Sequence, residues 1–571
     1  MEDPKSFSAP LTALNEDANS VKAVSVSSKK SQHGSKRESA KAPSVSSEKS
    51  KPASEPKAGS EGSEDTKYSR SKDELVVDNE KTTDIEANIS GTRSKSSDDE
   101  EQEKADENDD PNIVDWDSPD DPANPMNWPA WKVKTHIFLV SAITFISPLG
   151  SSILATGIPQ ILADFNSTNE ELGSLVVSVY LLGFAAGPLV IAPLSELYGR
   201  TPLYHICNTL FAILTVGCAL GPSLNSEIAL RFLQGCAGSA PLAIGGGTIS
   251  DLIPQERRGK YMGIYALGPT LGPIFGPVAG GFLTRAKGWR WLMWLLLMIE
   301  GAITLVNFVF MRETYGVVIM ERKTRALRRE TGNMSLRSRY DHGLTSRQLW
   351  RNTLIRPAKM LLFSPIIFLL SLFMAITYGY LYLLFTTFPV VFGEYYHFNI
   401  GITGLVYLGL GVGNIIGLVI FGVFSDKVLL AKAANGELKP EYRLLPMVWT
   451  SFTLPIGLLI YGWSAKYAVH WIVPIIGNAF FGIGLLVTLV CTLTYVVDAF
   501  TEYAASATAA NAVLRSVVGA TLPLAGPAMY KALGIGWGNS LLAFISLALC
   551  PIPWIFYKYG ERVRKSSKTT Y

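Results

Sequence analysis

The chain has 571 residues, of which 48% are hydrophobic and 17% charged, and its formal net charge is only +3. Apolar segments follow one another from about His136 to Tyr559, with short polar breaks between them. A helix needs about 20 apolar residues to cross the ~30 Å hydrocarbon core of a bilayer, and these segments are long enough. The sequence therefore predicts an integral membrane protein. The weak net charge is an average over unlike regions and gives no indication of nucleic-acid binding.

Residues 1–111 are rich in Ser, Lys, Glu and Asp and contain no long apolar run. Such a segment cannot bury enough apolar surface to offset the entropy cost of ordering it, so we predict a disordered cytoplasmic tail. No cleavable signal peptide is expected, because the first part of this tail lacks an apolar core. Residues 112–135 differ, since they combine tryptophans with prolines and acids. Trp128 and Trp131 directly precede the first apolar segment, where aromatic side chains favour the membrane interface.

The apolar segments predict an all-α membrane protein with twelve transmembrane helices in two six-helix halves. The predicted halves are 136–310 and 360–558, with a central cytoplasmic loop at 311–359 between them and a short cytoplasmic tail at 559–571. The predicted spans are His136–Gln160, Leu172–Leu194, Leu203–Leu220, Glu227–Ile249, Tyr261–Leu283, Trp289–Phe310, Leu361–Phe392, Ile402–Phe424, Leu444–Trp463, Val469–Val497, Ala504–Met529 and Trp537–Tyr557.

Basic residues are concentrated in the loops on one side of the predicted bundle, including the central loop. The positive-inside rule places that side, and with it both termini, in the cytoplasm. We expect a multi-pass protein of the plasma membrane, with the vacuolar or another internal membrane as the alternative. In this topology the sequon at Asn166 faces outward and is a candidate glycosylation site on a short loop.

The turns after the second and eighth spans match each other, as expected for a chain built from two repeats. They read APLSELYGRTPLY and GVFSDKVLL. Each places an acid and a base just beyond a helix end, Glu196 with Arg200 and Asp426 with Lys427. A charge pair in such a turn holds one helix end against a neighbour, and its breakage would shift the protein between inward-open and outward-open states. An ordinary polar turn is the alternative, and it is less favoured because the pattern occurs twice.

The stretch GIYALGPTLGPIFGPVAGG at Gly263–Gly281 is apolar, yet Gly and Pro recur through it. Both residues disfavour soluble helices but are tolerated in a bilayer, where neighbouring helices re-satisfy the backbone. Gly272 and Gly276 form a small-xxx-small face that lets another helix approach closely. We expect either an ordinary packing helix or a kinked helix at the moving interface between the halves. The two-half organisation favours the second interpretation.

Several ionisable residues stand inside predicted spans, among them Arg231 in the fourth, Glu300 in the sixth and Arg515 in the eleventh. Such residues are costly in a membrane and are functional candidates for that reason. Glu300 is predicted to carry protons or attract cations, with a hydrogen-bonded structural acid as an equal alternative. Arg515 follows Asn511 by one helical turn on the same face. The pair is predicted to face a central cavity or to brace neighbouring spans.

Tyr378, Tyr382 and Phe385 recur at i, i+4 and i+7 in the seventh span and form one aromatic stripe. Such a stripe commonly serves packing. In a transporter whose seventh span lines the cavity, it would instead suit flat hydrophobic compounds, or cationic ones through cation–π contact. Because polar anchors are few, the stripe predicts broad specificity rather than recognition of one sugar or amino acid.

These motifs together resemble those of the major facilitator superfamily, and within it the fungal twelve-span drug:proton antiporters. The turn after the second span resembles the signature loop of the superfamily, with Glu196 for the usual Asp and with Gly199 and Arg200 retained. Ala192 and Thr201 depart from that motif. The segment LRFLQGCAGSA resembles the fourth-span motif. The fifth-span stretch resembles the antiporter motif, whose positions are occupied by Gly263, Gly272, Gly276, Pro277 and Gly280.

The resemblance runs from about Ile113 to the end of the chain and implies alternating access between two six-helix halves. It implies a role in proton coupling for Arg231, which would act by tuning a nearby acid or water, since an Arg does not itself release a proton. The alternative is an Arg whose charged end extends to the membrane interface. It places Gln234 in register with the same motif, and we expect Gln234 at the cavity. The fifth-span motif implies export by antiport rather than uptake.

The sequence therefore predicts a proton-coupled antiporter that exports hydrophobic or cationic small molecules, with partners limited to substrate, protons and the lipid bilayer. A polyamine exporter is one alternative, and a transporter-like membrane sensor with little flux is another. No phosphate-binding loop and no nucleophile–base pair occurs, and the five cysteines lack metal-ligand spacing. We expect no enzyme activity, no cofactor, no metal and no nucleic acid, and a monomer.

Overall fold

The computed structural model describes residues 112–340, 346–433, 439–500 and 503–566, without the side chains of 255–256, 258–260, 346–353, 425–433 and 566. The predicted tail at 1–111 lies outside the described residues. The helices of the first half are α1 (Ala130–Ser152), α2 (Ile158–Asp164), α3 (Glu170–Tyr198), α4 (Arg200–Leu220), α5 (Leu224–Gly238), α6 (Ala240–Leu252), α7 (Gln255–Lys287) and α8 (Arg290–Phe310). The central loop carries α9 (Gly316–Thr331) and α10 (Ser346–Phe363). The helices of the second half are α11 (Pro365–Tyr396), α12 (Ile400–Ala433), α13 (Leu445–Thr450), α14 (Thr453–Lys466), α15 (Ile472–Ala499), α16 (Ala504–Thr521), α17 (Ala525–Leu549) and α18 (Pro551–Ser566).

Ten helical segments of the described chain are long and apolar enough to cross a bilayer. The fourth span is not among them because it is split into two short helices, and the last segment crosses twice, so the chain makes twelve passes. Helices α5 and α6 have 15 and 13 residues, so each is too short alone, but they follow one another across a break at Ser239 and cross once. The segment Ala504–Lys565 has 62 residues and would be about 93 Å long as one helix. It reverses at Gly534, whose φ is 74°, and the Tyr530 hydroxyl donates to the Asn539 side chain at 3.2 Å across that turn.

The two halves repeat the same helix pairing. The first span packs on the fifth, the second on the fourth and the third on the sixth. The seventh span packs on the eleventh, the eighth on the tenth and the ninth on the twelfth in the same way. The halves meet through the fifth span with the eighth and the second with the eleventh. This pairing confirms the predicted two-half architecture.

The segment that leads into the first span is folded against the central loop. Strand β1 (Ile113–Val114) pairs in parallel with β2 (Arg337–Ser338). Beside this pair, the Trp116 indole donates to the Tyr340 hydroxyl at 3.1 Å and Lys323 Nζ lies 2.6 Å from Asp117. We call the side of the bundle that carries these segments the terminal side, and the opposite side the far side.

Candidate transport site

Arg231 lies in α5 with no solvent exposure, and three described acceptors satisfy its guanidinium. Nε donates to the Val176 carbonyl at 3.3 Å, one terminal nitrogen to Gln234 Oε1 at 2.7 Å and the other to the Ser151 carbonyl at 3.1 Å. The cation also lies 4.6 Å from the centre of the Tyr180 ring. A buried charge is tolerated when such partners replace water. These three acceptors are dipoles, so none of them brings a formal negative charge to Arg231.

The helical spacing of α5 explains the partnership of Arg231 with Gln234, since residues three apart share a face. The Gln234 amide also donates to Thr215 Oγ1 at 2.6 Å and is fully buried. Gln234 therefore lies inside the first half and supports Arg231, whereas the sequence analysis expected it at the cavity.

Ser151 connects Arg231 to the second half of the protein. Its carbonyl accepts from Arg231, and its hydroxyl lies 2.7 Å from the Tyr382 hydroxyl. Tyr382 belongs to α11 and is fully buried. One serine of the first span thus contacts both the buried cation and the predicted aromatic stripe.

Glu227 is a buried carboxylate that the sequence analysis missed. It precedes Arg231 by one turn of α5 and has 0% exposure. Neither of its oxygens accepts a hydrogen bond from a described N–H or O–H group. Its charged and polar neighbours are the Cys218 thiol and the guanidinium groups of Arg231 and Arg290. The signal in the sequence is an acid four residues before an Arg, at the first residue of the predicted fourth span.

Glu300 is also buried, at 2% exposure, and accepts a hydrogen bond from the Thr304 hydroxyl at 3.2 Å. It borders a small cavity inside the first half together with Ser147 and Asn208. The Asn208 amide nitrogen has no hydrogen-bond partner among the described residues, so this cavity offers polar sites that a water can occupy. The Ser147 carbonyl accepts from Tyr180 at 3.0 Å, which places one side chain between this cavity and the Arg231 cation.

A central cavity lies between the fifth, seventh, eighth and tenth spans. Tyr378 and Phe385 of the aromatic stripe line it, with Pro269 and Pro273 of α7 and the Asn414 side chain opposite. The stripe is continuous, because the ring centres of Tyr378 and Tyr382 lie 5.3 Å apart and those of Tyr382 and Phe385 5.5 Å apart. The stripe therefore combines cavity lining with the contact of Tyr382 to the first half.

Arg515 and Asn511 differ in what they contact. The Arg515 guanidinium lies 5.0 Å from the centre of the Tyr378 ring, at the edge of the cavity. The Asn511 amide donates to Ser371 Oγ at 3.2 Å and is buried between α16 and α11. Arg515 thus contacts a side chain that lines the cavity, and Asn511 braces two spans.

The predicted charge pair of the first half has a different acidic partner. Arg200 Nε lies 3.4 Å from Asp251 Oδ2 at the end of α6, and a terminal nitrogen of Arg200 donates to Ser195 Oγ at 2.7 Å. Glu196 is exposed and interacts with Arg200 only at longer range. Gly199 adopts a φ of +102°, which allows the Glu313 carboxylate to accept the Arg200 backbone N–H at 2.9 Å.

The matching pair in the second half is Arg443 with Asp498. Arg443 Nε lies 3.0 Å from Asp498 Oδ2, at the start of the ninth span and the end of the tenth. Arg200 and Asp251 occupy the same positions relative to the third and fourth spans. The side chains of Asp426 and Lys427, which the sequence analysis assigned to this role, lie outside the described residues.

Similarity to known proteins agrees with this architecture. Residues 140–523 match the family model described as Major Facilitator Superfamily. The chain is 80% identical over 571 residues to "MFS-type transporter atr4" of Stereocaulon alpinum, covering 100% of both chains. It is 56% identical over 460 residues to "MFS-type transporter penM" of Penicillium rubens, covering 80% of this chain and 91% of that protein. It is 50% identical over 458 residues to "Efflux pump radE" of Floropilus chiversii, covering 80% and 85%.

The chain belongs to the major facilitator superfamily. The xylose transporter XylE from E. coli, in a partially occluded inward open conformation, has the same fold with a TM-score of 0.58 and 15% identity over 75% of this chain and 98% of that one. A bacterial homologue of human Spinster, in an inward-facing conformation, aligns with a TM-score of 0.54 and 14% identity over 78% and 100%. The protein is thus a multi-pass membrane transporter with fungal relatives.

The fifth-span glycines of this superfamily member pack on the first span. A Cβ at Gly272 would lie 2.6 Å from the Phe145 carbonyl oxygen, one at Gly276 2.8 Å from that of Leu149 and one at Gly280 2.7 Å from that of Ile153. A larger side chain at any of these positions would therefore clash with the backbone of the first span, which belongs to the same half. The sequence predicted that this glycine face lies at the interface between the halves. It packs on α1 instead, because the four-residue spacing puts the glycines on the side of α7 that faces α1 rather than α12.

The contact between the halves at the fifth span lies near the far side. A Cβ at Gly281 would lie 2.7 Å from the Ile400 carbonyl oxygen, and one at Gly404 2.6 Å from that of Pro277. Toward the terminal side, no atom of the described part of the chain lies within 4 Å of an added Cβ at Gly263 or Gly422. The fifth and eighth spans therefore touch from the far side as far as Ile274 and Gly411, where an added Cβ would lie 2.9 Å from the Ile274 side chain, and have open space at Gly263 and Gly422.

Asn166 lies in the exposed far-side turn between α2 and α3, with a φ of 50°. Its backbone N–H donates to the Ala163 carbonyl at 3.1 Å. The side chain is accessible, and glycosylation there stays a prediction.

Proposed function

We propose that this transporter exports hydrophobic small molecules in exchange for protons across the plasma membrane, with its terminal side in the cytoplasm. The observation that carries the proposal is the buried Arg231 cluster, which contains the Glu227 carboxylate, without a hydrogen bond from a described N–H or O–H group, and reaches the second half through Ser151 and Tyr382. A proton bound or released next to Arg231 changes the charge at the contact between the halves. Proton transfer is thereby coupled to the rearrangement that opens the cavity.

In this mechanism Arg231 does not carry the proton, since its guanidinium stays charged. Glu227 and Glu300 are the carboxylates that exchange it, because both are buried in the first half and close to the Arg231 network. Arg231 stabilises the deprotonated form of Glu227 by its charge. When the proton is bound, the charge of Arg231 is less compensated and its contacts with the Ser151 carbonyl become stronger.

The available driving force is sufficient for export. One proton supplies about 2.3 kcal/mol per 100 mV of membrane potential and about 1.4 kcal/mol per unit of pH difference. A hundredfold outward gradient of a neutral compound requires about 2.7 kcal/mol. One proton per molecule therefore drives such a gradient at ordinary potentials.

The proposal is tested by efflux of lipophilic fluorescent dyes from cells that lack other pumps. We expect expression of the chain to lower dye accumulation, and a protonophore to abolish the effect. Arg231→Ala should remove the dependence of export on a pH gradient. Export that persists unchanged in the presence of the protonophore would refute proton coupling, and dye accumulation equal to that of the empty host would refute export.

A further inference from the structure

The cation at the edge of the central cavity has no carboxylate partner in the described chain. Arg515 is half-buried, and its guanidinium lies over the Tyr378 ring rather than against an acid. Its Nε is buried and has no hydrogen-bond partner among the described residues. An unsatisfied buried donor on a charged group costs free energy, so an acceptor that binds there gains more than an ordinary hydrogen bond.

The described lining of the central cavity contains no Asp or Glu. The polar groups among its lining residues are the neutral side chains of Thr270, Tyr378 and Asn414. The buried acids Glu227 and Glu300 lie within the first half, in α5 and α8, away from the α7, α11, α12 and α15 residues that line this cavity. The charged group in contact with a described lining residue is Arg515, which lies over the Tyr378 ring, and near a site with apolar walls its positive charge attracts anions and repels cations.

We propose that the transported compounds are lipophilic organic anions, with an aromatic body and one acidic group. Arg515 binds the acidic group, because its planar donors match a carboxylate or sulfonate in a bidentate manner. Tyr378 and Phe385 contact the aromatic body along the cavity wall. The inference rests on the proposed export function and specifies its substrate class, in place of the cationic compounds that the aromatic stripe suggests from sequence.

The charge of the substrate also fixes the charge moved in each cycle. If one proton enters for each molecule exported, a monovalent anion carries two positive charges inward per cycle. A neutral compound carries one, and a monovalent cation carries none. The number of charges moved per molecule thus reports the substrate class without any mutation.

The test uses the full chain reconstituted in proteoliposomes and three probes with the same ring system: naphthalene-2-sulfonate, naphthalene-2-sulfonamide and (2-naphthylmethyl)trimethylammonium. The two ionic probes keep their charge when a pH gradient is imposed, so passive entry of a neutral acid does not obscure their flux. We expect the sulfonate to be transported at least tenfold faster than the ammonium compound, with two charges moved per molecule. Arg515→Gln should lower sulfonate transport at least tenfold and leave sulfonamide transport within about twofold, while Arg515→Lys should restore part of the sulfonate flux.

Arg562→Gln is the matched control, because Arg562 is an exposed Arg of α18 outside the cavity. If Arg515→Gln does not fold, the anion assignment is still tested by the unmodified protein, through its selectivity among the probes and the number of charges moved per molecule. Proton-driven transport of the ammonium compound or the sulfonamide without the sulfonate would overturn the anion assignment and leave proton-coupled export standing. Sulfonate flux that changes neither with the pH gradient nor on addition of a protonophore would overturn proton coupling and leave the anion assignment standing. Absence of flux for all three probes would overturn the anion assignment.

Discussion

The hydroxyl groups of Ser151 and Tyr382 lie 2.7 Å apart and join the two halves of the transporter beside Arg231. The same serine offers its carbonyl to the Arg231 guanidinium, so a change in charge near Arg231 is transmitted over a single residue to α11. In a low-dielectric interior such a bond is electrostatically stronger than in water, and its loss has a larger effect on the balance between states.

Tyr382→Phe should shift that balance. It removes one hydrogen bond worth about 1 kcal/mol while keeping the ring, so we expect a roughly fivefold change in the ratio of the two conformations. Distances between spin labels on the two halves measure the ratio. Tyr461→Phe is the matched control, because the buried Tyr461 hydroxyl has no hydrogen-bond partner among the described residues. An unchanged distance distribution in Tyr382→Phe would show that the bond does not bias the states.

Glu227→Gln should separate proton coupling from substrate movement. The amide keeps the shape of the side chain but does not exchange a proton, so uphill accumulation should fall to equilibrium. Exchange of labelled for unlabelled substrate should stay within about twofold of the unmodified protein. Both are measured in proteoliposomes. Glu394→Gln is the control, since Glu394 is an exposed acid at the end of α11. Retained uphill accumulation in Glu227→Gln, together with its loss in Glu300→Gln, would assign the proton to Glu300 instead.

Gly276→Leu should destabilise the protein and lower transport. An added Cβ lies 2.8 Å from the Leu149 carbonyl oxygen, so the first and fifth spans must move apart. Overpacking of this kind costs about 1–3 kcal/mol or more, which a lowered thermal unfolding temperature in detergent should report. Gly263→Leu on the same helix is the control, because an added Cβ at Gly263 meets no atom within 4 Å. Equal unfolding temperatures for the two variants would contradict the packing of the glycine row on α1.

Asp251→Ala should impair transport without unfolding the protein. It leaves the half-buried Arg200 guanidinium without its carboxylate, so the contact between the third and fourth spans at the terminal side is weakened. We expect transport to fall at least tenfold with little change in unfolding temperature, since a partly exposed ion pair contributes at most about 1 kcal/mol. The double exchange Arg200→Asp with Asp251→Arg should recover part of the activity. Full activity in Asp251→Ala would show that the pair plays no part in the cycle.

The sequence was sufficient for the fold because hydropathy repeats along the chain as in a bilayer-spanning bundle, and the family is confirmed. It did not reveal the break at Ser239 or the two-residue pairing of β1 with β2, since both depend on contacts between distant segments. Asp251 is 51 residues from Arg200, and no spacing rule connects them. The sequence identified Arg231 and Arg515 as candidates because charge in an apolar helix is conspicuous, but their partners follow only from the packing.

The glycine row of α7 has a mechanical consequence. Since close backbone contact with α1 runs from Gly272 to Gly280, the first and fifth spans are joined along their length and move as one body. The fifth span meets the eighth at Gly281 and Gly404 near the far side and again farther along both helices, where an added Cβ at Gly411 would lie 2.9 Å from the Ile274 side chain. When the cavity changes the side to which it opens, the joined pair of α1 and α7 therefore has to move along α12 over this line of contact, and a larger side chain at Gly281 or Gly404 should obstruct that movement more than it weakens substrate binding.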